Sequence, residues 1–327
     1  MPRLSILIVN WNSKDYVRKC LGSLESCVTI RHQVIVVDGA SFDGCGEMIA
    51  KEFPSVEFVQ SPENVGFGRC NNLGAARAGG EYLLILNPDT EVTPGALEAL
   101  LEVAEGGSGV GLVGARLLNT DGSLQTSCVQ ALPTPLNRAL DSDFLRRRFP
   151  RSRLWGTYAA FSAWEPVPVE AVSGACMLIH RETFASVGGF CPDYFMYAED
   201  MHLCWDVAKL GKRIVYQPAS AIIHHGGGAS SGEFSRFSCI EMNRAIHQFI
   251  VSRQGKWAGL AYRWLIGISA LIRLVLLAGV WTLSSGQRRN RRSTSIRRWW
   301  TTLRWAALRM DGMNLPAGTT GGTCVSS

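Results

Sequence analysis

The sequence predicts an α/β fold with a mainly parallel central sheet, and three observations predict it. Short apolar runs recur at residues 4–9, 33–37, 56–60 and 82–86, each of strand rather than helix length. Segments with helical spacing separate them, the βαβα order of a parallel sheet covered on both faces. The runs close on polar residues at their carboxyl ends, where an open parallel sheet holds its ligand.

Taken in order, 4–9 is the first strand, and Asn12 and Ser13 cap a helix in which Tyr16, Val17, Cys20, Leu21 and Leu24 share one face. The second strand, 33–37, leads through a turn to a helix around 48–53. The third, 56–60, is followed by a glycine-bearing loop and a helix through 71–78. The fourth, 82–86, precedes a helix over 95–105 that starts after Pro94. From Val110 to about Ile223 the pattern is mixed: a strand over 172–179, an aromatic loop over 188–197 and a strand over 215–223 extend the same domain. Residues 133–166, with Pro133, Pro135, Arg146, Arg147, Arg148 and Pro166, read as a long insertion or lid. No repeat of 20–50 residues is visible.

The 327 residues are 46% apolar and 18% charged, which excludes a disordered chain, a coiled coil and a polytopic membrane protein. The formal charge of +6 hides a split. Residues 1–250 carry 21 Lys/Arg against 26 Asp/Glu, whereas residues 251–327 carry 12 basic groups against the single acid Asp311. The expected organisation is an α/β domain over 1–250, a basic helical region for membrane association over 251–311, and a disordered Gly/Thr/Ser-rich tail over 312–327. The ten cysteines show no C-x-x-C and no paired spacing. Cys20, Cys176 and Cys204 fall in apolar patterns, as free thiols of a reducing compartment do. The first apolar run, six residues long, is too short for a signal-peptide core.

Three strand ends carry polar groups: Asn10-Trp11-Asn12, Asp38 and Asn87-Pro88-Asp89. A lone Asp at such a place is usually a cap. Two at equivalent ends, with Asp43 nearby, suit a crevice that holds a divalent cation and a ribose or base, as a nucleotide substrate needs. Gly66-Phe67-Gly68 lacks the third glycine and the position of a dinucleotide fingerprint, and a Walker A motif is absent, which argues against dehydrogenases and P-loop enzymes. A second cluster lies downstream. Glu199 and Asp200 occupy the first turn of an amphipathic helix carrying Leu203, Cys204, Val207 and Ala208, where a carboxylate can serve as general base. His224 and His225 end a strand and precede Gly226, Gly227 and Gly228, a setting for metal or phosphate contact.

Together these residues resemble the family 2 glycosyltransferases, in the subgroup rich in bacterial rhamnosyltransferases. The matching stretches are Asn10-Trp11-Asn12 at the end of the first run, Asp38-Gly39-Ala40-Ser41 with Asp43, Glu63-Asn64-Val65-Gly66-Phe67 with Asn71 and Asn72, and Leu86-Asn87-Pro88-Asp89-Thr90. Further along come Gly174-Ala175-Cys176, Gly188-Gly189-Phe190, Tyr197-Ala198-Glu199-Asp200 and the His224 to Gly228 run. They span about residues 4–230 in the family's order. The resemblance implies a GT-A fold and inverting transfer of one sugar from a nucleotide-diphosphate sugar to a hydroxyl of a lipid-linked or cell-envelope glycan, with L-rhamnose from dTDP-rhamnose as a candidate donor. It implies Asp38 on the nucleoside, with Asn10, Asn12, Asn64, Gly66 and Asn87 as further donor contacts. Asp89 and His224 would hold Mg²⁺ or Mn²⁺, and Asp200 would be the base. Glu199, His225 and Gly174 would support the acceptor side.

The chain departs from the pattern at Asn87, where a D-x-D motif has its first acid, at Gly39, and at Met201-His202 after Asp200. Ser295 stands at the glutamine of the Q-x-x-R-W motif of processive relatives, upstream of Arg298-Trp299, so addition of a single sugar is expected. The rival readings are a sugar-phosphate nucleotidyltransferase and a membrane-tethered nucleotide-sugar binder without activity. The first would need a glycine-rich basic loop after the first strand, where Asn10-Trp11-Asn12-Ser13 stands.

In the basic tail, residues 264–283 are nearly all apolar, and 20 helical residues span about 30 Å, one hydrocarbon thickness. Arg273 sits mid-way, and the six arginines 288, 289, 291, 292, 297 and 298 follow. One crossing would part those arginines from a catalytic domain that uses cytosolic donors, so a re-entrant or in-plane helix is expected. Over 296–310, Ile296, Trp299, Trp300, Leu303, Ala306, Ala307 and Met310 fall on one arc, with Arg297, Arg298, Thr301, Arg304 and Arg309 largely opposite and Trp305 and Leu308 intruding on that polar side. The expected partner is an anionic membrane surface at the cytoplasmic face, and not nucleic acid.

Overall fold

The computed structural model describes residues 2–226, 235–281 and 286–308. Its first half runs β1 (Leu4–Asn10), α1 (Lys14–Cys27), β2 (His32–Asp38), α2 (Cys45–Glu52), β3 (Glu57–Gln60), α3 (Phe67–Ala75), β4 (Tyr82–Leu86), β5 (Thr90–Val92), α4 (Ala96–Gly106), β6 (Val110–Leu118) and β7 (Val129–Gln130). Three short helices follow, α5 (Pro135–Leu140), α6 (Asp143–Arg148) and α7 (Tyr158–Ser162). Next come β8 (Val167–Val169), β9 (Ala171–Val172), β10 (Cys176–His180), α8 (Arg181–Ser186), α9 (Glu199–Lys209) and β11 (Arg213–His224). The chain then continues as α10 (Arg236–Gln254), α11 (Lys256–Trp281) and α12 (Gly286–Leu308).

Strand alternation explains the apolar runs. In β1, Ile6 and Ile8 pack with Val17, Leu21 and Leu24 of α1, while Leu7 and Val9 pack with Ile35, Val37 and Cys70 on the α3 side. Both faces are covered, so β1 is buried along its whole length and has no polar phase. Among the described residues the main sheet has the order β3-β2-β1-β4-β10-β6-β11-β5, with β8 also on β11. β3, β2, β1 and β4 are mutually parallel, as are β6 and β11, and β10 lies antiparallel between β4 and β6.

The expected strand over 172–179 is two strands. Ser173, Gly174 and Ala175 leave the ladder between β9 and β10 because their backbone groups go elsewhere: the Gly174 N–H to Asp200 and the Ala175 carbonyl to the Asn87 N–H. The 133–166 excursion folds as three short helices. Eight cysteines are free thiols, six of them buried. Cys191 alone among the described cysteines is disulfide-bonded, so the all-thiol reading holds for the other eight.

The tail is docked on the domain. Ala245 and Phe249 of α10 belong to the main core, and α12 runs back along α11. The Arg263 guanidinium lies 4.6 Å from the Trp305 ring and donates to its carbonyl at 2.8 Å, and Arg273 lies 4.1 Å over Trp299. Trp305 is fully buried, with Thr301 and Thr302. This corrects the expected arc on 296–310: the packed face centres on Trp305, which the periodicity had put among the polar positions, because Tyr262 and His247 offer it an aromatic seat. Trp300 and Leu308 are exposed instead. Arg309, Met310, Asp311, residues 312–327, Gly227 and Gly228 lie outside the described residues, as do the side chains of Arg288, Arg289, Arg291 and Arg292.

Candidate active site

Register assembles the first group. Asn10 of β1 pairs with Asp38 of β2, and Asp38 with Gln60 of β3, so three polar side chains stand in a row at the carboxyl edge. Asn10 Nδ2 donates to Asp38 Oδ1 at 2.6 Å, Gln60 Nε2 donates to Asp38 Oδ2 at 2.7 Å, and the Ser41 N–H to the same oxygen at 3.0 Å. The Ser41 hydroxyl adds a fourth bond. Burial raises the Asp38 pKa, but the bonds from Ser41, Gln60 and Asn10 outweigh it and hold the carboxyl below its ordinary value. Asp38 is therefore a fixed anion. Beside it lies a cleft of about 710 Å³ lined by Asp38, Phe42, Asp43, Gly44, Phe58 and Gln60, a size usual for small-molecule sites. Asn64 approaches from the next loop: its Oδ1 accepts the Gly66 N–H at 3.1 Å and sits near Gly39. Asp43 accepts the first N–H of α1 from Lys14 at 2.9 Å, a capping role. Asn12, expected among the donor contacts, stands exposed in the β1–α1 turn at φ 52° and is not part of this bonded row.

The second group forms where β4 and β5 meet β11. His224 pairs with Thr90 in register, which sets its ring 3.3 Å (Nε2) from Asp89 Oδ1. Asn87, also expected on the nucleotide, turns to this group, with Nδ2 3.4 Å from His224 Nε2. Gln125 was not foreseen. Its Nε2 donates to the His224 carbonyl at 2.5 Å, so its Oε1, 2.8 Å from Nδ1, accepts the Nδ1 proton. That network places a proton on Nδ1 and leaves Nε2 facing the Asp89 carboxylate; with the ring neutral, the Nε2 lone pair and the carboxylate are two electron-pair donors that a cation beside them would stabilise. Among the described residues no third His, Cys, Asp or Glu completes a metal cluster. One carboxylate and one imidazole fit a Mg²⁺ or Mn²⁺ whose remaining positions go to phosphate and water. His225 faces away: its Nε2 lies 2.6 Å from Glu91, and only its backbone N–H reaches Asp89, at the carbonyl.

The third group is strained. Tyr197 (φ 71°) and Ala198 (φ 63°) are consecutive left-handed residues that aim the first turn of α9 inward. Asp200 accepts the Gly174 N–H at 3.0 Å and the Met201 N–H at 2.8 Å. Glu199 is buried, and its Oε2 has no hydrogen-bond partner among the described residues. Burial first, and then the neighbouring Asp200 charge, raise Glu199 to about 8. Burial also raises Asp200, against the two backbone bonds that favour its carboxylate. The pair thus divides its proton unevenly: Glu199 holds it, and Asp200 is the ionised member. Asp200 keeps an opening to solvent. Gly66 joins this group to the first. A Cβ there would lie 2.1 Å from the Phe195 carbonyl oxygen, and the Phe67 N–H donates to that oxygen at 3.1 Å. Gly174 has Asp200 against it less tightly, with a Cβ position 3.3 Å from the Asp200 Cβ.

Residues 5–187 match the description Glycosyl transferase family 2, and residues 136–318 match Glycosyl transferase family group 2. The chain belongs to glycosyl transferase family 2. Among curated relatives it is similar to N-acetylglucosaminyl-diphospho-decaprenol L-rhamnosyltransferase of Mycobacterium tuberculosis, 28% identical over 88% of this chain and 95% of the relative. It is also similar to rhamnosyltransferase WbbL of Escherichia coli, 26% identical over 71% of this chain and 86% of the relative. Among solved structures it resembles the mannosyltransferase PcManGT of Pyrobaculum calidifontis, solved with GDP-Man and Mn²⁺, at a TM-score of 0.58 and 19% identity over 94% and 88% of the two chains. At that identity the likeness concerns the fold. This family 2 glycosyltransferase has the GT-A fold that its motifs implied.

Of the expected site residues, Asn10, Asp38 and Asn64 fall in the first group, Asn87, Asp89 and His224 in the second, and Gly66, Gly174, Glu199 and Asp200 in the third. Gln60, Ser41, Gln125 and Glu91 were missed. Gln60 also ends a strand, so the rule that found Asn10 and Asp38 would have found it.

Proposed function

We propose that this glycosyltransferase moves a single sugar, L-rhamnose from dTDP-rhamnose, onto a hydroxyl of a polyprenyl-linked glycan with inversion at the anomeric carbon. The observation that carries the reaction type is Asp200, held by two backbone N–H groups in the first turn of α9 beside the buried Glu199. The names of the relatives support the donor and acceptor.

Asp38 accepts hydrogen bonds from the nucleoside, a role its lowered pKa suits. Asp89 and His224 would hold the divalent ion, which when bound supplies positive charge against the departing diphosphate. Gln125 keeps the His224 ring in register with Asp89. Asp200 takes the acceptor hydroxyl proton as that oxygen bonds the anomeric carbon and the bond to the diphosphate oxygen breaks on the opposite face. One displacement inverts the centre, so no protein nucleophile is used. The deciding experiment is a panel of nucleotide sugars with Mg²⁺ or Mn²⁺ and a short-chain polyprenyl-diphosphate N-acetylglucosamine acceptor, with the product anomer read by NMR. Product formed only from a sugar 1-phosphate and a nucleoside triphosphate would replace this reading with nucleotidyl transfer. Binding with no turnover of any donor would leave an inactive binder.

Gln125→Leu is expected to weaken metal-supported donor binding by about 10–100-fold and to leave metal-free nucleotide binding unchanged, both read by calorimetric titration. Equal donor affinity in variant and wild type with metal present would remove Gln125 from this role.

The reading includes attachment to an anionic membrane at the cytoplasmic face. Lys256–Gly279 is long and apolar enough to cross a bilayer by length and composition, and only 22% of its apolar window is buried. Its outer face carries Trp257, Leu260, Trp264, Ile268, Leu271, Ile272, Val275 and Leu276, all exposed. Arg273 turns inward onto the Ala139 and Asp141 carbonyls, which removes the charge from that stripe. With α12 folded back on its inner face, α11 lies in the surface rather than crossing it. A chain ending at residue 254 should sediment with anionic vesicles far more weakly than the full chain. Undiminished co-sedimentation would locate the main membrane contact elsewhere.

A further inference from the structure

The excursion between β7 and β9 has no part in the chemistry above, yet its placement and surface are specific. Its two ends pair with each other, Val129 with Val172, and Gly174, the partner of Asp200, follows two residues after β9. Its first helix is tied to the membrane helix: Ser269 Oγ donates to the Ala139 carbonyl at 2.7 Å and Arg273 to the Asp141 carbonyl at 2.6 Å. Gln254, the last residue of α10, donates to the Pro133 carbonyl at 3.1 Å. A lid would need to move freely of α11, and these bonds hold it there.

The exposed side of the excursion is aromatic and basic. Phe144 is 74% exposed and Trp164 91%, and Phe149, Tyr158 and Phe161 are also open. Residues 135–164 hold six arginines against two aspartates. Asp141 is neutralised internally by Arg138 and Arg146, whereas Arg148, Arg151 and Arg153 are exposed. Arg148 stacks 5.0 Å from the Phe149 ring and Arg153 5.9 Å from that of Tyr158. Aromatic rings interleaved with arginines, in a segment bonded to the helix that carries the apolar stripe, match the headgroup layer of an anionic bilayer, where rings sit at the polar–apolar boundary and arginines meet phosphates. A second copy of the chain is the wrong occupant, since a two-fold contact through this patch would set arginine against arginine.

We propose that residues 135–164 are a second bilayer-docking surface, acting with the outer stripe of α11, so that the domain is held at two places and the acceptor's headgroup is presented along the segment that leads to Gly174 and Asp200. This deepens the membrane reading above and rests on it.

The test is hydrogen exchange of the full chain with phosphatidylcholine vesicles, with and without phosphatidylglycerol. Peptides covering 141–164 should gain protection together with those covering 264–279, only with the anionic lipid, while α2 and β11 do not change. Protection of 264–279 alone overturns this inference and leaves the α11 anchor standing. No protection in either segment sinks the anchor reading itself. As a second measurement, the combined variant Phe144→Ser, Phe161→Ser, Trp164→Ser should partition about tenfold more weakly to anionic vesicles and transfer sugar to a water-soluble short-chain acceptor at the wild-type rate. Wild-type partitioning overturns the proposal. So does a wild-type dimer in sedimentation that the variant disperses, which would make the patch a self-contact.

Discussion

Asp200→Asn is expected to bind the donor nucleotide with near wild-type affinity and to transfer sugar about 10²–10⁴-fold more slowly. The substitution keeps the size of the side chain and an oxygen that can accept from Gly174 or Met201, so the first turn of α9 should hold its place. What it loses is the proton acceptor. The wild-type rate should also carry an acid limb. Burial raises the Asp200 pKa, so the fraction of ionised base falls as pH drops at values above those of an ordinary aspartate. Protonated Glu199 beside it matters here. If Glu199 were charged at neutral pH, repulsion would drive a proton onto Asp200 and silence it; because Glu199 lacks a partner for Oε2 while Asp200 has two N–H donors, the proton settles on Glu199. Initial rates against pH, with donor affinity measured separately by titration, check both parts. Wild-type turnover in the Asn variant would sink the assignment of the base.

How much of this was legible in the sequence depends on the distance between the residues concerned. β4 is found at its predicted bounds, 82–86, and β1 one residue longer than expected, because both strands are buried on two faces and carry no polar phase to confuse their ends. Asp38 and Asp89 were legible as candidates because one ends β2 and the other follows the end of β4 by three residues. Gln125 was not: it lies 99 residues from His224, in a loop whose sequence carries no marker, and only the fold brings its amide to that ring. The missed face of α12 has a related cause. Periodicity ranks positions by polarity alone, and by that rule Trp305 intruded among arginines; the seat that Tyr262, His247 and Arg263 make for it is a tertiary fact. His224 and His225 looked equivalent in sequence. The β5–β11 register separates them, since adjacent strand residues point to opposite faces and only one ring can meet Asp89 while the other meets Glu91.

The charge split is likewise explained by where groups sit. Arg273, which interrupts the apolar run in sequence, leaves the outer face of α11 uninterrupted because its guanidinium is spent on α5 carbonyls and on the Trp299 ring. An apolar stripe without a charge is what an in-plane helix needs, and Arg297 and Arg304 are exposed on the helix packed alongside it.

Removal of Asp89, the carboxylate proposed to hold the metal, should have an effect on the scale of removing Asp200. Asp89→Ala is expected to lower kcat/KM by about 10³-fold or more, roughly 4 kcal/mol at the transition state, and to abolish the difference in donor affinity with and without divalent ion. Asp89 is almost fully buried, and its carboxylate faces His224 Nε2, whose other ring nitrogen is committed to Gln125. If the ring is neutral, the two groups attract each other poorly without a cation, and a bound ion would offset the cost of their juxtaposition. The alternative is an imidazolium–carboxylate ion pair with a purely structural role, and the two differ in what they predict. A metal site makes Asp89→Ala insensitive to chelator, leaves its thermal stability without metal at or above that of wild type, and shows weaker Mn²⁺ binding by electron paramagnetic resonance. An ion pair makes the variant less stable at neutral pH whatever the metal content, because removing one partner strands a buried charge. Full wild-type transfer in the presence of excess chelator would decide for the ion pair and against the metal.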